Sequence, residues 1–165
     1  MEKTGSSKRK SESPAFREAL QKAAALCSRQ EQCSGHIRDK LRQWEMGDHE
    51  ADRIIAALQK EGFLDDARYA VYFARDKVKI NQWGKIKIAH TLRQRKLSTE
   101  NIDRALEQIN EEEYFQTCLA VVRRKAAGLK DRDPFIRRGK LYRFAAGRGF
   151  EADLIYRALD RLGGD

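Results

Sequence analysis

Apolar residues along this chain recur at three- and four-residue steps and almost never alternate. Phe115, Cys118, Leu119, Val122 and Ala126 fall at i, i+3, i+4, i+7 and i+11, the period of a helix with one inward face. Ala67, Ala70, Val71, Ala74 and Val78 trace a second stripe. Ile88, Ala89 and Leu92 trace a third, in a shorter segment opened by Gly84 and followed by Leu97. Nine helical segments are expected, in three sets. The last segment of each set repeats one pattern: Ile54-Ile55-Ala56-Ala57-Leu58, then Ile102-Asp103-Arg104-Ala105-Leu106, then Ile155-Tyr156-Arg157-Ala158-Leu159. All three share Ile, Ala at i+3 and Leu at i+4, at spacings of 48 and 53 residues. A recurrence at near-constant period marks a repeat architecture, whose units cover their apolar stripes with their own three helices or with neighbours.

The pattern divides the chain into a basic tail at 1–13, expected to be disordered, and three repeats at 15–62, 63–111 and 112–162. Breaks are expected at Gly62, Asn110-Glu111 and Gly163-Gly164. The expected fold is all-α: three tandem three-helix, helix-turn-helix-like repeats in an elongated, curved molecule. Composition agrees. Ala, Leu, Glu, Gln, Lys and Arg dominate, and all lose little side-chain freedom on a helix. Charged residues make up 36% of the chain, well above the usual quarter, so a thin molecule suits it better than a sphere.

Charge changes the picture further. The net charge is +9. The stretch from Arg75 to Lys96 holds eight bases (Arg75, Lys77, Lys79, Lys85, Lys87, Arg93, Arg95, Lys96) against Asp76 alone. From Arg123 to Arg148 there are ten (Arg123, Arg124, Lys125, Lys130, Arg132, Arg137, Arg138, Lys140, Arg143, Arg148) against Asp131 and Asp133. The first repeat is slightly acidic, with seven acids and five bases from Glu31 to Glu61. Such segregation predicts an anionic partner for repeats two and three, met by Lys85, Lys87, Arg93, Arg95, Lys96, Arg123, Arg124, Lys125, Arg137, Arg138, Lys140, Arg143 and Arg148. Lys87, His90, Thr91 and Gln94 share the outer face of the short segment after Gly84, which resembles the reading helix of a DNA-binding unit. A direct DNA-binding module, on single or double strands, therefore stands as a second reading. Trp83 is the one candidate for base stacking, and packing at the entry turn of the helix is its simpler role.

Catalytic chemistry is not indicated. Asp65-Asp66 has no third acid at helical spacing beside it on the helix that follows, and Asp65 reads as the cap of that helix. Gly147-Arg148-Gly149 lacks the remaining glycine and the strand of a phosphate loop. Cys27, Cys33 and Cys118 form neither a disulfide framework nor, with His36, a complete metal set. No enzyme activity, metal or cofactor is expected. No signal segment or membrane span is read, so a cytoplasmic monomer is expected.

Three stretches taken in order resemble the RecX family of recombinase regulators. The first is Gly62-Phe63-Leu64-Asp65-Asp66-Ala67-Arg68-Tyr69-Ala70. The second is Gly84-Lys85-Ile86-Lys87-Ile88 with Leu92 and Lys96-Leu97. The third is Lys140-Leu141-Tyr142-Arg143-Phe144 with Arg148-Gly149-Phe150, Ile155 and Leu159. The resemblance runs from about Ala24 to Leu162. It implies a modular all-α protein that binds the RecA recombinase and its filament on single-stranded DNA. It further implies restraint of filament growth, strand exchange and co-protease action, and so a place in recombination, DNA repair and the SOS response. It assigns Phe63, Leu64, Asp65, Asp66, Arg68, Tyr69, Ala70, Gly84, Gly149 and Phe150 mainly structural roles. One departure is Lys96, where the family usually has glycine; an altered helix end is expected there.

Overall fold

A computed structural model describes residues 12–164. Among the described residues all regular structure is helical, as expected. The helices are α1 (Pro14–Arg29), α2 (Ser34–Gln43), α3 (Asp48–Lys60), α4 (Asp66–Lys79), α5 (Lys85–Gln94), α6 (Thr99–Glu107), α7 (Glu111–Gly128), α8 (Pro134–Gly147) and α9 (Ala152–Gly164). The expected tail at 1–13 falls, as far as residue 11, outside the described residues. Ser13 is part of a helix start: its Oγ accepts from the Phe16 N–H at 3.1 Å, with Pro14 in the first turn. The break expected at Gly163-Gly164 is absent, since α9 runs through both glycines.

The chain forms two compact units, Met1–Asp65 and Asp66–Asp165. In the first, α1, α2 and α3 enclose Phe16, Ala23, Ile37, Leu41, Ile54 and Leu58, and Leu64 closes the core from the segment after α3. In the second, α4 packs on α6 and α5, α7 packs on α8 and α9, and α4 touches α7. The stripe of α4 differs from the expected one. Ala67 is exposed, Val71 is half-buried, and Tyr69 is buried with Ala70, Ala74 and Val78. A tyrosine ring removes far more apolar area from water than a methyl group, and its hydroxyl keeps a partner in the Arg95 guanidinium.

The middle helices α2, α5 and α8 end alike. After each, the chain turns left-handed, at Glu45 (φ 60°), Lys96 (φ 65°) and Gly149 (φ 93°). The next N–H then returns to the last helical turn: Met46 to the Leu41 carbonyl at 2.9 Å, Leu97 to Leu92 at 3.2 Å, Phe150 to Ala145 at 3.3 Å. This double-bonded closure satisfies carbonyls that the helix leaves open and clasps one apolar side chain over another. Gly62 (φ 77°) closes α3 in the same way. The helix end at Lys96 is therefore not altered by the loss of glycine. The closure is kept, and a lysine is held in a conformation that costs an L-residue about 1–2 kcal/mol. Lys96→Gly should raise stability by about 0.5–1 kcal/mol, the relief of strain being partly offset by a freer unfolded chain. The check is urea unfolding: the midpoint should rise with the slope unchanged.

Candidate interface for an anionic partner

The second unit is joined by a backbone seam, and the seam brings Arg148 and Lys87 to the α4–α5 loop. Helix α5 starts at Gly84, which has no side chain to cap it. Its first amides are satisfied instead from the turn between α8 and α9 and from α7. The Gly84 N–H donates to the Arg148 carbonyl at 2.8 Å and the Ile86 N–H to the Gly149 carbonyl at 3.0 Å. Between them, the Lys85 N–H donates to the Tyr114 hydroxyl at 2.8 Å, and that hydroxyl donates to Glu151 Oε1 at 2.6 Å. A Cβ on Gly84 would lie 2.1 Å from the Gly149 carbonyl carbon, and one on Gly149 would lie 2.4 Å from Lys87 Cβ. Burial first, and then the Glu151 carboxylate, push the Tyr114 hydroxyl far above the usual tyrosine range, so it stays a donor. Phe150, fully buried, packs on the Tyr114 ring at 5.5 Å.

Basic groups from both halves of this unit meet at the α4–α5 loop. Arg148 reaches over from the end of α8, its Nε donating to the Gln82 carbonyl at 3.2 Å and its terminal nitrogen to the Asn81 carbonyl. Arg124 of α7 donates to the Gln82 side-chain oxygen. Trp83 is packed edge-on against Phe73, and Lys87 and Lys77 lie over its ring at 4.3 and 4.8 Å. Trp83 thus serves the entry turn, with its ring covered by cations. Lys77 completes the group, although it was not among the expected contact residues; its place in the basic run was the only signal. Arg95 lies over Phe73 at 4.7 Å, while Arg93 and Lys96 are exposed at the end of α5 and Arg123 is exposed on α7.

Other basic residues have structural partners. Lys85 pairs with Glu111 at 3.1 Å and covers the Tyr114 ring. Arg137 donates to three backbone carbonyls, of Ala126, Leu129 and Asp131, at 3.0–3.2 Å, and so closes the C-terminal end of α7. Arg138 pairs with Asp160 at 2.9 Å and Lys140 with Asp131 at 2.8 Å. The Lys140 hydrogen bond draws the Asp131 carboxyl below the usual range. Lys125 lies over Phe144 at 4.8 Å, and Arg143 is exposed. Cys118 is buried on α7; burial, and to a lesser degree Glu151, push its thiol up to about 12. Among the described residues no three His, Cys, Asp or Glu side chains are grouped to hold a metal, and no helix is long and apolar enough to cross a membrane.

The family-motif residues sort by the same geometry. Leu64, Tyr69, Ala70, Gly84, Gly149 and Phe150 are buried, Asp66 and Arg68 half-buried, and Phe63 and Asp65 exposed. The seam rests on the Tyr114 hydroxyl. Tyr114→Phe should lower the stability of this unit by about 1–3 kcal/mol, because a buried N–H and a carboxylate lose their shared partner. Denaturant unfolding checks this, and a loss no larger than that of an exposed tyrosine such as Tyr72 would refute it.

Models of the second and third three-helix domains of RecX match residues 65–106 and 111–159. The regulatory protein RecX of Halorhodospira halophila is 33% identical over 147 residues, covering 88% of this chain and 89% of that protein. That of Clostridium botulinum is 31% identical over 121 residues, and the match spans 72% of this chain but 56% of the relative. The crystal structure of RecX from Lactobacillus salivarius shares the fold with a TM-score of 0.85, over 92% of this chain and 98% of that one, at 17% identity. The matched ranges contain the Tyr69, Gly84, Tyr114 and Gly149 positions on which the second unit is built. The chain belongs to the RecX family of regulatory proteins.

Proposed function

We propose that this chain restrains the RecA recombinase. In this reading it binds RecA or the RecA filament on single-stranded DNA and limits filament growth, strand exchange and co-protease activity. It works in the cytoplasm as a monomer, without catalysis or a cofactor, through three repeats at 15–62, 63–111 and 112–162. Family membership supports the regulatory role.

The observation that supports an anionic partner is the state of the charges at the α4–α5 loop. Arg124 and Arg148 are bonded to neutral amide oxygens, and Lys87 and Lys77 lie on an indole ring. Such contacts orient a cation without cancelling its charge. On α8, by contrast, Arg138 and Lys140 face carboxylates, which reduces their pull on an incoming anion. Acidic protein surface or DNA phosphate carried by the filament fits the uncompensated group.

The test is RecA's single-stranded-DNA-dependent ATPase with substoichiometric amounts of this chain, run beside binding to naked DNA. Inhibition at amounts too small to occupy the DNA is expected. Lys87→Glu with Arg124→Glu should raise the amount needed by about tenfold, since like charges then oppose the partner. The same reversal at Arg38 and Arg42 in the first unit should matter much less; equal losses would refute the placement. An unchanged ATPase together with tight, salt-dependent binding to naked DNA would overturn the reading and favour a direct DNA-binding module.

A further inference from the structure

Helix α8 has two apolar faces and only one is covered. Leu141 and Ala145 are buried, while Phe135 is 87% exposed and Ile136 46% exposed. With Tyr156 of α9, itself 50% exposed, they line a groove of about 410 Å³ that Gly139 also borders. Large apolar side chains grouped in a concave site mark a binding surface more often than chance exposure does. Gly139 adds to this. It sits mid-helix, where glycine weakens the helix, and a Cβ there would meet nothing nearer than the flexible end of Arg143, at 3.4 Å. The fold does not require this glycine, whereas close approach by a partner would.

We infer that the α8–α9 groove docks an acidic protein segment that carries apolar anchors, with Phe135 and Ile136 holding the anchors and Arg143 meeting a carboxylate. The proposal rests on the reading of this chain as a regulator that grips a protein filament, and names a second contact distinct from the α4–α5 loop. Charge selects the occupant. A second copy docked through the same face would bring Arg143 toward its own kind. Residues 1–11 of this chain carry Lys3, Lys8, Arg9 and Lys10 against Glu2, a poor charge match for Arg143. A nucleic-acid strand needs several stacking rings and several unmatched cations, and Phe135 is the one uncovered ring in this groove. Here Tyr142 and Tyr156 are stacked on each other at 5.1 Å, Arg138 lies over the Tyr156 ring at 6.0 Å, and Arg138 is already paired with Asp160. One unmatched arginine beside aliphatic and aromatic surface suits a carboxylate flanked by apolar side chains, as on one face of an amphipathic helix.

The experiment is fluorescence anisotropy of the full chain with a labelled, glutamate-rich helical peptide bearing Leu and Phe at i, i+3 and i+4. A lysine-for-glutamate version and an oligo-dT strand serve as comparators. The acidic peptide should bind, and the lysine version should not. Phe135→Ser and Arg143→Glu should each weaken binding by about tenfold, as loss of a central anchor does. Both residues are exposed, so circular dichroism should be unchanged. Gly139→Ala should weaken binding while raising the melting temperature, a pairing that a purely structural glycine would not show. Binding that ignores all three changes, displacement of the peptide by oligo-dT, or self-association that is lost with Phe135→Ser would each overturn the proposal. Variants that lose the peptide but still inhibit RecA's ATPase as before would remove the groove from RecA regulation and leave that regulation standing. Peptide binding by a chain without effect on RecA would sink only the RecA reading.

Discussion

The joining of the two helical bundles in the second unit depends on the close approach of two glycines, bridged by the Tyr114 hydroxyl. Gly84 and Gly149 bring the first turn of α5 against the turn after α8 so closely that neither has room for a Cβ. At that distance backbone can pair with backbone, and the amides of α5 that no local side chain caps find carbonyls there. Tyr114 fills the gap between the two bonds and passes the interaction on to Glu151. Buried amides without partners are costly, so the seam makes each three-helix bundle a condition for the other's completion.

The seam also arranges charge. By placing Arg148 beside the α4–α5 loop it brings two basic runs, far apart in the chain, to one loop: Arg148 and Arg124 bond its amide oxygens, and Lys77 and Lys87 lie over its Trp83 ring. Cations tied to neutral dipoles keep their field, while those tied to carboxylates lose much of it. A count of lysines and arginines treats the thirteen expected contact residues alike. The structure separates them into groups that hold the fold, such as Arg137 and Lys85, groups already matched by acids, such as Arg138 and Lys140, and groups whose contacts are neutral, such as Lys87 and Arg124.

The repeated helix closure shows how the family plan tolerates change. Glu45, Lys96 and Gly149 occupy the same left-handed position after a middle helix, yet only Gly149 is glycine. At Gly149 the neighbour is backbone and Cβ of Lys87, so a side chain is excluded by space. At Lys96 only conformational strain opposes one, and the hydrogen bonds and apolar clasp offset it. Position in the seam, more than the turn itself, decides where glycine is obligatory.

How much of this was legible beforehand follows from the range of the forces involved. Helix content, the stripe on α7, the start of α5 at Gly84 and the recurring Ile-Ala-Leu pattern are local or periodic, and the chain by itself determined them: propensity and a 3.6-residue period act between near neighbours. The resemblance to RecX was readable for the same reason, through ordered short motifs. Burial of Tyr69 in place of Ala67 was not readable, because the choice between adjacent faces depends on which side chain finds both apolar cover and a polar partner. Nor were the trans-capping of α5, the bridging Tyr114 hydroxyl, the engagement of Arg137 with three carbonyls, or the bare second face of α8. Each is decided by groups distant in the chain that meet only once the bundles pack, and hydrogen bonds and excluded volume act over a few ångströms that sequence spacing does not encode.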